Sequence, residues 1–363
     1  MTTIADVSAP AQSPGGLVVV GGVDTHAQTH TAAVLDTAGR QLGHAQFEAT
    51  PAGYTQLTTW LTRHGSVHAV GVEGTGAYGA GLARHLTAIG LQVVEVDRPD
   101  RKTRRFAGKS DPIDADAAAR AVLAGRAAGI PKTRTGPVEA IRVLRVARTS
   151  AVTDRAHALT RIKALLITAG DDLRGALSGL TATKLVATCA ALRPDRGRAA
   201  DPDQATKIAL RSLARRHRDL TAEITDLDQL LDQLVAASNP RLIAATGVGT
   251  DVAGQLLVTA GDNPDRLRSE AAFAALCGVA PVPASSGKTN RHRLNRGGDR
   301  QANAALYRVV LCRLRWDPRT QAYKKRRTEE GLSTTEIIRC LKRLIARELY
   351  YLLIHPESAA TAA

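Results

Sequence analysis

Aromatic residues are scarce in this chain, since Phe, Trp and Tyr make up 3% of its 363 residues. Hydrophobic residues still account for 44%, so cores must be built mainly from Ala, Val, Leu and Ile. Cysteines are also few, and none stands in the CxxC spacing typical of zinc sites. We therefore expect reduced thiols and a cytoplasmic protein without a disulfide framework. The four are Cys189, Cys277, Cys312 and Cys340.

Long hydrophobic segments are missing as well. No apolar run approaches the roughly 20 residues that a membrane-spanning helix needs, so the sequence predicts no membrane partner. The first 16 residues contain Asp6 and have neither the basic start nor the apolar middle of a signal peptide. We interpret residues 1–16 as a disordered tail.

Acidic residues are outnumbered, with 34 Asp and Glu against 49 Lys and Arg, which gives a formal net charge of +15. Such a balance favours a polyanionic partner, because each cation placed on a phosphate releases a counterion. The excess is concentrated, since residues 284–347 hold 17 Lys or Arg and 5 Asp or Glu. A cluster of this kind is more typical of nucleic-acid binding than of a generally basic surface.

The first third of the chain combines strand and helix patterns. Apolar or alternating runs predict five strands, and a turn at Asp36–Gly39 joins the second to the third. Pro51 opens a predicted helix at its first position, and a second predicted helix ends at Gly90. We therefore predict an α/β domain with a mixed sheet over residues 17–135. The predicted strands are residues 17–25, 29–36, 41–49, 68–75 and 91–97.

Pro and Gly recur around residues 131–137 and mark a boundary, after which the sequence becomes helical. A heptad pattern predicts a coiled coil within a helical middle domain, residues 136–240. The alternative is one amphipathic helix packed within its own domain, because self-association follows only if the stripe meets another chain. The heptad residues are Leu213, Leu220, Leu227 and Leu234, with Ile224 and Leu231 at the second core position and His217 as an exception.

Four carboxylates stand at or near predicted strand ends. Asp24 ends the first strand, Glu73 ends the fourth, and Asp111 and Asp114 follow the fifth in the segment KSDPIDADAAAR. Sites in open sheets gather at the carboxyl ends of strands, so these groups are expected to converge. Close carboxylates repel one another, and Mg²⁺, one ion or two, would remove that conflict and bind phosphate. Asp116 is a spare acid, which we interpret as a solvated or first-turn residue, and the alternative is that it replaces Asp114.

The segments VGGVDTHAQTHTAAVLD, VGVEGTGAYG and KSDPIDADAAAR resemble the DEDD segments of the insertion-sequence-110 transposases. This resemblance implies a RuvC-like domain with the ribonuclease-H-like fold. Carried over by position, the tetrad of that family falls on Asp24, Glu73, Asp111 and Asp114. These four would be both the catalytic acids and the metal ligands.

The last predicted domain, residues 241–363, is mainly α-helical. Its segment ATGVGTDVAGQLL (245–257) has the Gly-x-Gly pattern of a helix-hairpin-helix element, in which Gly247 and Gly249 would let backbone N–H groups approach a phosphate. The alternative is an ordinary turn between two helices with Gly at the cap. The pattern alone leaves both interpretations open.

The segment LCGVAPVPASSGKTNRHRLNRGGDRQANAAL (276–306) resembles the C-terminal signature of the same family. By position the nucleophilic serine of that family falls on Ser286, with Ser285 beside it as a one-residue ambiguity. A serine hydroxyl needs activation to attack phosphorus, and nearby cations would hold the phosphate and offset developing charge. The cations predicted to do so are Lys288, Arg291, Arg293, Arg296 and Arg300.

The resemblance implies a DNA transposase or site-specific recombinase, in the bacterial cytoplasm and on the nucleoid when bound to DNA. It further implies Mg²⁺-dependent strand cleavage and exchange through a phosphoserine intermediate, guided by a structured non-coding bridge RNA. It also implies a homo-oligomer, a dimer or a tetramer in the synaptic complex, with a site shared between subunits. Two alternatives stay open: a Holliday-junction-type metal-dependent endonuclease that uses water as nucleophile, and a nucleic-acid-binding protein with an inactive ribonuclease-H fold.

Overall fold

The computed structural model of the protein describes residues 17–96, 110–287 and 292–356. The predicted tail and the predicted phosphate contacts Lys288 and Arg291 lie outside the described residues. The chain forms two compact units: residues 1–135 with 260–268, and residues 136–259 with 269–363. The segments predicted as a helical middle and a C-terminal domain thus belong, for the most part, to one unit.

The first unit is built on the mixed five-stranded sheet that the sequence predicted. Its order is β3-β2-β1-β4-β5, in which β1 is antiparallel to β2 and parallel to β4. The strands are β1 (Val18–Thr25), β2 (Thr29–Asp36), β3 (Gln41–Glu48), β4 (Ser66–Glu73) and β5 (Val93–Val96). Its described helices are α1 (Pro51–Arg63), α2 (Ala80–Ala88) and α3 (Asp111–Leu123).

Helices cover both faces of this sheet. On one face, Val19 and Val23 of β1 pack with Leu57 and Leu61 of α1 in a fully buried aliphatic core. On the other face, Val20 packs against Ala119 of α3 in a smaller cluster. The alternation of side chains along a strand therefore sends successive residues of β1 toward α1 or toward α3.

A short segment from far along the chain completes the first unit. Asn263 donates to the carbonyl of Pro131 at 3.0 Å, and Arg268 donates to the carbonyl of Ala128 at 2.7 Å. Arg266 donates to the carbonyl of Ile130 at 2.9 Å. Residues 260–268 are thus tied to residues 128–131 by hydrogen bonds that local sequence patterns do not signal.

The second unit is helical apart from one small ribbon. Its described elements are α4 (Pro137–Ile167), α5 (Asp171–Leu177), α6 (Ala182–Ala191), α7 (Pro202–Ser238), α8 (Pro240–Ala244), α9 (Thr250–Ala260), α10 (Glu270–Leu276), β6 (Val282–Pro283), β7 (His292–Arg293), α11 (Arg300–Trp316), α12 (Pro318–Glu329) and α13 (Thr334–Ile354). No helix in the described part of the chain is long and apolar enough to cross a bilayer.

The heptad stripe lies on α7, which packs along α4 within the second unit. The two helices are antiparallel, because Arg148 pairs with Asp228 while Arg155, seven residues later in α4, acts on His217, which is earlier in α7. Ile224 and Leu231 are buried, whereas the leucines of the main heptad position are half-buried. The packing of α7 on α4 accounts for the buried part of the stripe, and a coiled coil with another chain stays a prediction.

Candidate functional site

Asp24 and Glu73 lie at the carboxyl ends of adjacent parallel strands. Val23 of β1 lies opposite Val72 of β4 in the register, and each carboxylate is the next residue of its strand. Since both valines point into the core beneath α1 and α2, the residues that follow them point to the face covered by α3. Both carboxylates are buried, with 7% and 9% of their surface exposed.

Two glycines let α3 lie close against that face. A methyl group at Gly22 would lie 2.2 Å from the carbonyl oxygen of Ala115, and one at Gly71 would lie 2.9 Å from that of Ala118. Larger residues at either position would push α3 off the sheet. The helix begins at Asp111, after the N-cap Ser110, so its first turn lies beside the strand ends.

His26 joins the first strand to this helix. Its Nε2 lies 3.2 Å from Oδ2 of Asp24 and 3.3 Å from Oδ1 of Asp111. One possible ligand atom from each of these three residues lies within 4.8 Å of the others. The sequence analysis missed His26, although its position two residues after Asp24 places both on one side of an extended chain.

The electrostatics of the cluster indicate a shortage of positive charge. Burial raises the pKa of Asp24, the nearby His26 opposes this, and the carboxylates of Asp114 and Asp111 raise it further. A divalent cation among these groups would offset their repulsion, and carboxylate oxygens with one imidazole nitrogen form a suitable donor set. The described residues therefore fit a divalent metal ion.

The structure separates Asp114 from its neighbour Asp116. Asp114 is buried at 4% exposure, and its charge acts on Asp24. Asp116 instead pairs with Arg120 at 2.6 Å, and Arg120 also donates to the carbonyl of Gly39 at 3.0 Å. The fold thus brings together Asp24, Asp111 and Asp114 and gives Asp116 a different partner.

Ser286 lies on an exposed loop in the second unit. Strands β6 and β7 form a two-stranded antiparallel ribbon in which Val282 lies opposite Arg293. The exposed residues 284–287, which follow β6 and carry Ser286, are called the serine loop. Ser285 and Ser286 are both exposed, so burial does not distinguish them. Arg293, Arg296 and Arg300 are exposed on and after β7, as phosphate contacts would need to be.

The Gly-x-Gly segment forms the turn between α8 and α9. Gly247 has a φ of +80°, which favours glycine, and a methyl group there would lie 3.4 Å from side-chain atoms of α11. Arg313 of α11 donates to the carbonyl of Thr246 at 2.7 Å, so the turn is fixed from one side. Gly249 is exposed. These features suit the ordinary turn between helices, and phosphate binding by this turn stays a prediction.

Two transposase family models match the chain. The first, a DEDD transposase model of IS110, covers residues 21–169 and thus all four predicted acids. The second, described as the transposase IS116/IS110/IS902 family, covers residues 239–325 and thus the Gly-x-Gly turn and Ser286.

Curated relatives come from two insertion elements. The chain is 26% identical over 159 residues to the insertion element IS900 uncharacterized 42 kDa protein of Mycobacterium paratuberculosis, covering 42% of this chain and 40% of that protein. It is 31% identical over 116 residues to the insertion element IS110 uncharacterized 43.6 kDa protein of Streptomyces coelicolor, covering 32% of this chain and 28% of that protein. The matches thus span less than half of either relative. Because one model matches the segment with the acidic cluster and the other matches the segment with the serine loop, the chain belongs to the IS110 family of transposases.

Proposed function

We propose that the protein is a DNA transposase that cleaves and rejoins DNA strands at specific sites. The observation that carries this proposal is the convergence of Asp24, His26 and Asp111 at the sheet edge, next to the buried Asp114. Such a cluster suits phosphoryl transfer, which depends on positioning and on offsetting negative charge. The basic stretch around Ser286 suits a DNA partner.

Mg²⁺, one ion or two, is the cofactor proposed for this cluster. Asp24, Glu73, Asp111 and Asp114 would hold it, with His26, which the sequence did not suggest, beside Asp24 and Asp111. When bound, Mg²⁺ supplies charge neutralisation and contacts to phosphate oxygens. The task of the protein is to fix these side chains, and the close packing of α3 on Gly22 does so.

Ser286 is the proposed nucleophile. Its Oγ forms a bond to a DNA phosphorus while the bond from phosphorus to the oxygen of the leaving strand breaks. The hydroxyl proton is lost to a basic group, and the leaving oxygen gains a proton. The reverse reaction with a new strand releases the serine and seals the DNA. Lys288, Arg291, Arg293, Arg296 and Arg300 would hold the phosphates during these steps.

A Ser286→Ala variant, with Ser285→Ala as the matched control, tests this mechanism. We expect the first to lose strand cleavage and joining by about 10³-fold or more, because no other group replaces the hydroxyl. The second is expected to retain activity, and denaturing gels should show a protein–DNA adduct with Ser285→Ala and the parent only. Cleavage by Ser286→Ala at the parent rate would instead indicate water as nucleophile, as in a resolvase-type endonuclease. Metal-independent DNA binding without any cleavage by the parent would indicate a binding protein.

A guide RNA and a homo-oligomer are further parts of the proposal, and both depend on family resemblance. The charge of the chain supports an RNA partner, because duplex RNA is held through its backbone. Sequencing of RNA that copurifies with the protein tests for the guide RNA. Sedimentation with and without DNA tests for the homo-oligomer. Mixing Asp24→Ala with Ser286→Ala chains tests a shared site, since only such a site would recover activity.

A further inference from the structure

A cleft of about 520 Å³ lies in the second unit between the chain that follows β7 and the helices α11 and α13. Its wall begins at Leu294, directly after the ribbon that carries the serine loop. Cations on three different elements line it, together with an amide and a phenol. These residues are Arg296, Arg300, Asn303, Tyr307, Arg339 and Lys342.

Lys342 is the unusual member of this group. It is buried, with 9% of its surface exposed, and its Nζ donates to Oδ1 of Asn303 at 2.8 Å. The Asn303 side chain is itself fixed, because its Nδ2 donates to the carbonyls of Cys277 and Gly278 at 3.0 Å each. The ammonium group is thus held in one place by an amide rather than by a carboxylate.

Buried cations normally require a carboxylate partner, because a buried charge without one is costly. The adjacent Arg343 follows this rule through its ion pair with Glu270. Over residues 17–96, 110–287 and 292–356, no Asp or Glu forms an ion pair with Lys342. Burial lowers the pKa of Lys342, and the charge of Arg339 lowers it further. An anion in the cleft would relieve both effects.

The acidic residue that lines the cleft does not supply this anion. Asp299 caps α11, and its Oδ1 accepts from the backbone N–H groups of Gln301 and Ala302 at 2.8 and 3.1 Å. Its Oδ2 accepts from the hydroxyl of Thr259 at 2.7 Å. Both oxygens are therefore occupied by other donors. One carboxylate also cannot offset the four cations of the cleft, which keep an excess of positive charge.

We propose that this cleft binds a phosphodiester of the DNA strand that Ser286 attacks, with Lys342 at its floor and Arg296, Arg300 and Arg339 at its exposed rim. DNA is favoured because the wall of the cleft continues directly from the ribbon that carries Ser286. Tyr307, 41% exposed, offers a flat surface for a sugar or base. This inference depends on the proposed function and assigns Asn303, Arg339 and Lys342 a part in holding the phosphates of that strand.

The test compares Lys342→Met, which keeps most of the apolar stem, with Lys184→Met, which removes the same charge from the exposed surface of α6. Duplex DNA of arbitrary sequence is the probe, and its affinity is measured by anisotropy over a series of salt concentrations. A lost phosphate contact lowers the slope of log affinity against log salt by about 0.9. We expect this loss in Lys342→Met and the parent slope in Lys184→Met. Arg339→Gln, an exposed change, should show the same loss and covers the case in which Lys342→Met does not fold.

Cleavage assays separate this inference from the proposed function. If the parent cleaves DNA, Arg339→Gln and folded Lys342→Met should cleave at least about 10-fold more slowly. Parent-like slopes and rates in both variants would overturn the inference and leave the proposed function intact. A parent that binds but never cleaves would contradict the proposed function, while the slopes still test the cleft. A slope change seen with duplex RNA but not with DNA would also overturn the inference as stated.

Discussion

The acidic cluster of the first unit and the serine loop of the second are held in opposite ways. The carboxylates stand on regular elements, and Asp24, Glu73 and Asp114 are all buried. Ser286 stands in the exposed serine loop, which follows a strand of only two residues. Groups that repel one another need a rigid frame to stay together, whereas a neutral hydroxyl carries no such cost.

The two units also differ in the sign of the charge around these groups. In the first unit, burial raises the pKa of Asp24, and the nearby carboxylates of Asp114 and Asp111 raise it further. In the second unit the excess is positive, and Lys342 is buried without a carboxylate partner among the described residues. One region is suited to a metal cation and the other to phosphate. Each unit thus carries the charge that its proposed partner requires: negative charge for the metal ion, and positive charge for the DNA phosphate.

The largest expected effect separates two acids on α3. Asp114→Asn should reduce DNA cleavage by about 10²-fold or more, because it removes a carboxylate from the cluster. Asp116→Asn should stay within a few-fold of the parent, because that residue pairs with Arg120. Rates of strand cleavage at saturating Mg²⁺ measure both. Equal losses in the two variants would contradict the assignment of Asp114 to the cluster.

An intermediate effect is expected from a substitution at Gly22, the residue of β1 against which α3 packs. Gly22→Ala should destabilise the protein by about 3 kcal/mol, since its methyl group meets helix backbone that cannot move aside alone. Gly21→Ala is the matched control, because its methyl group meets only side chains of Leu61 and Val70, at 3.2 Å or more. Urea unfolding measures the free energies, and calorimetric Mg²⁺ titration of the folded fraction measures the cluster. A normal metal affinity in Gly22→Ala would show that α3 is not held in place by this contact.

The smallest expected effect concerns the ion pairs of Asp251 with Arg145 and Arg308 in the second unit. Burial raises the pKa of Asp251, but Arg145 and Arg308 outweigh it, so that the pKa lies below its ordinary value of 3.8. A lowered pKa stabilises the fold above pH 3.8, and this contribution is lost as the pH falls through the folded pKa. Asp251→Asn should therefore cost about 1 kcal/mol at pH 7, with the difference from the parent shrinking below pH 4.

Urea unfolding across this pH range measures the contribution of Asp251. The control is Asp171→Asn, which breaks an exposed pair with Arg174 and is expected to change nothing measurable. A difference between parent and Asp251→Asn that grew as the pH fell would contradict the assigned direction of the shift.

Local signals predicted the sheet unit well. The Asp36–Gly39 turn joins β2 to β3, and Pro51 begins α1 behind the N-cap Thr50. Strand ends were less exact, since β5 covers Val93–Val96 where seven residues were expected. Turn and cap signals depend on a few adjacent residues, and they are therefore readable in the sequence.

Contacts between residues that are far apart in the sequence could not be predicted from such local signals. Asn263 donates to Pro131 across 132 positions, and the partners are ordinary residues in both segments. The sequence likewise does not predict that Lys342 donates to Asn303, since each residue fits the pattern of an amphipathic helix. Such contacts depend on how helices and strands pack, and packing is decided by the whole unit.

By itself the sequence determined which elements form and which acids stand at their ends, because periodicity, turns and caps act over a few residues. Only the tertiary structure decided that His26 lies between Asp24 and Asp111, that Asp116 pairs with Arg120, and that Lys342 is buried in a basic cleft. The reason is geometric. Close approach of α3 to Gly22 fixes which face of that helix meets the strand ends, and no local pattern encodes that approach.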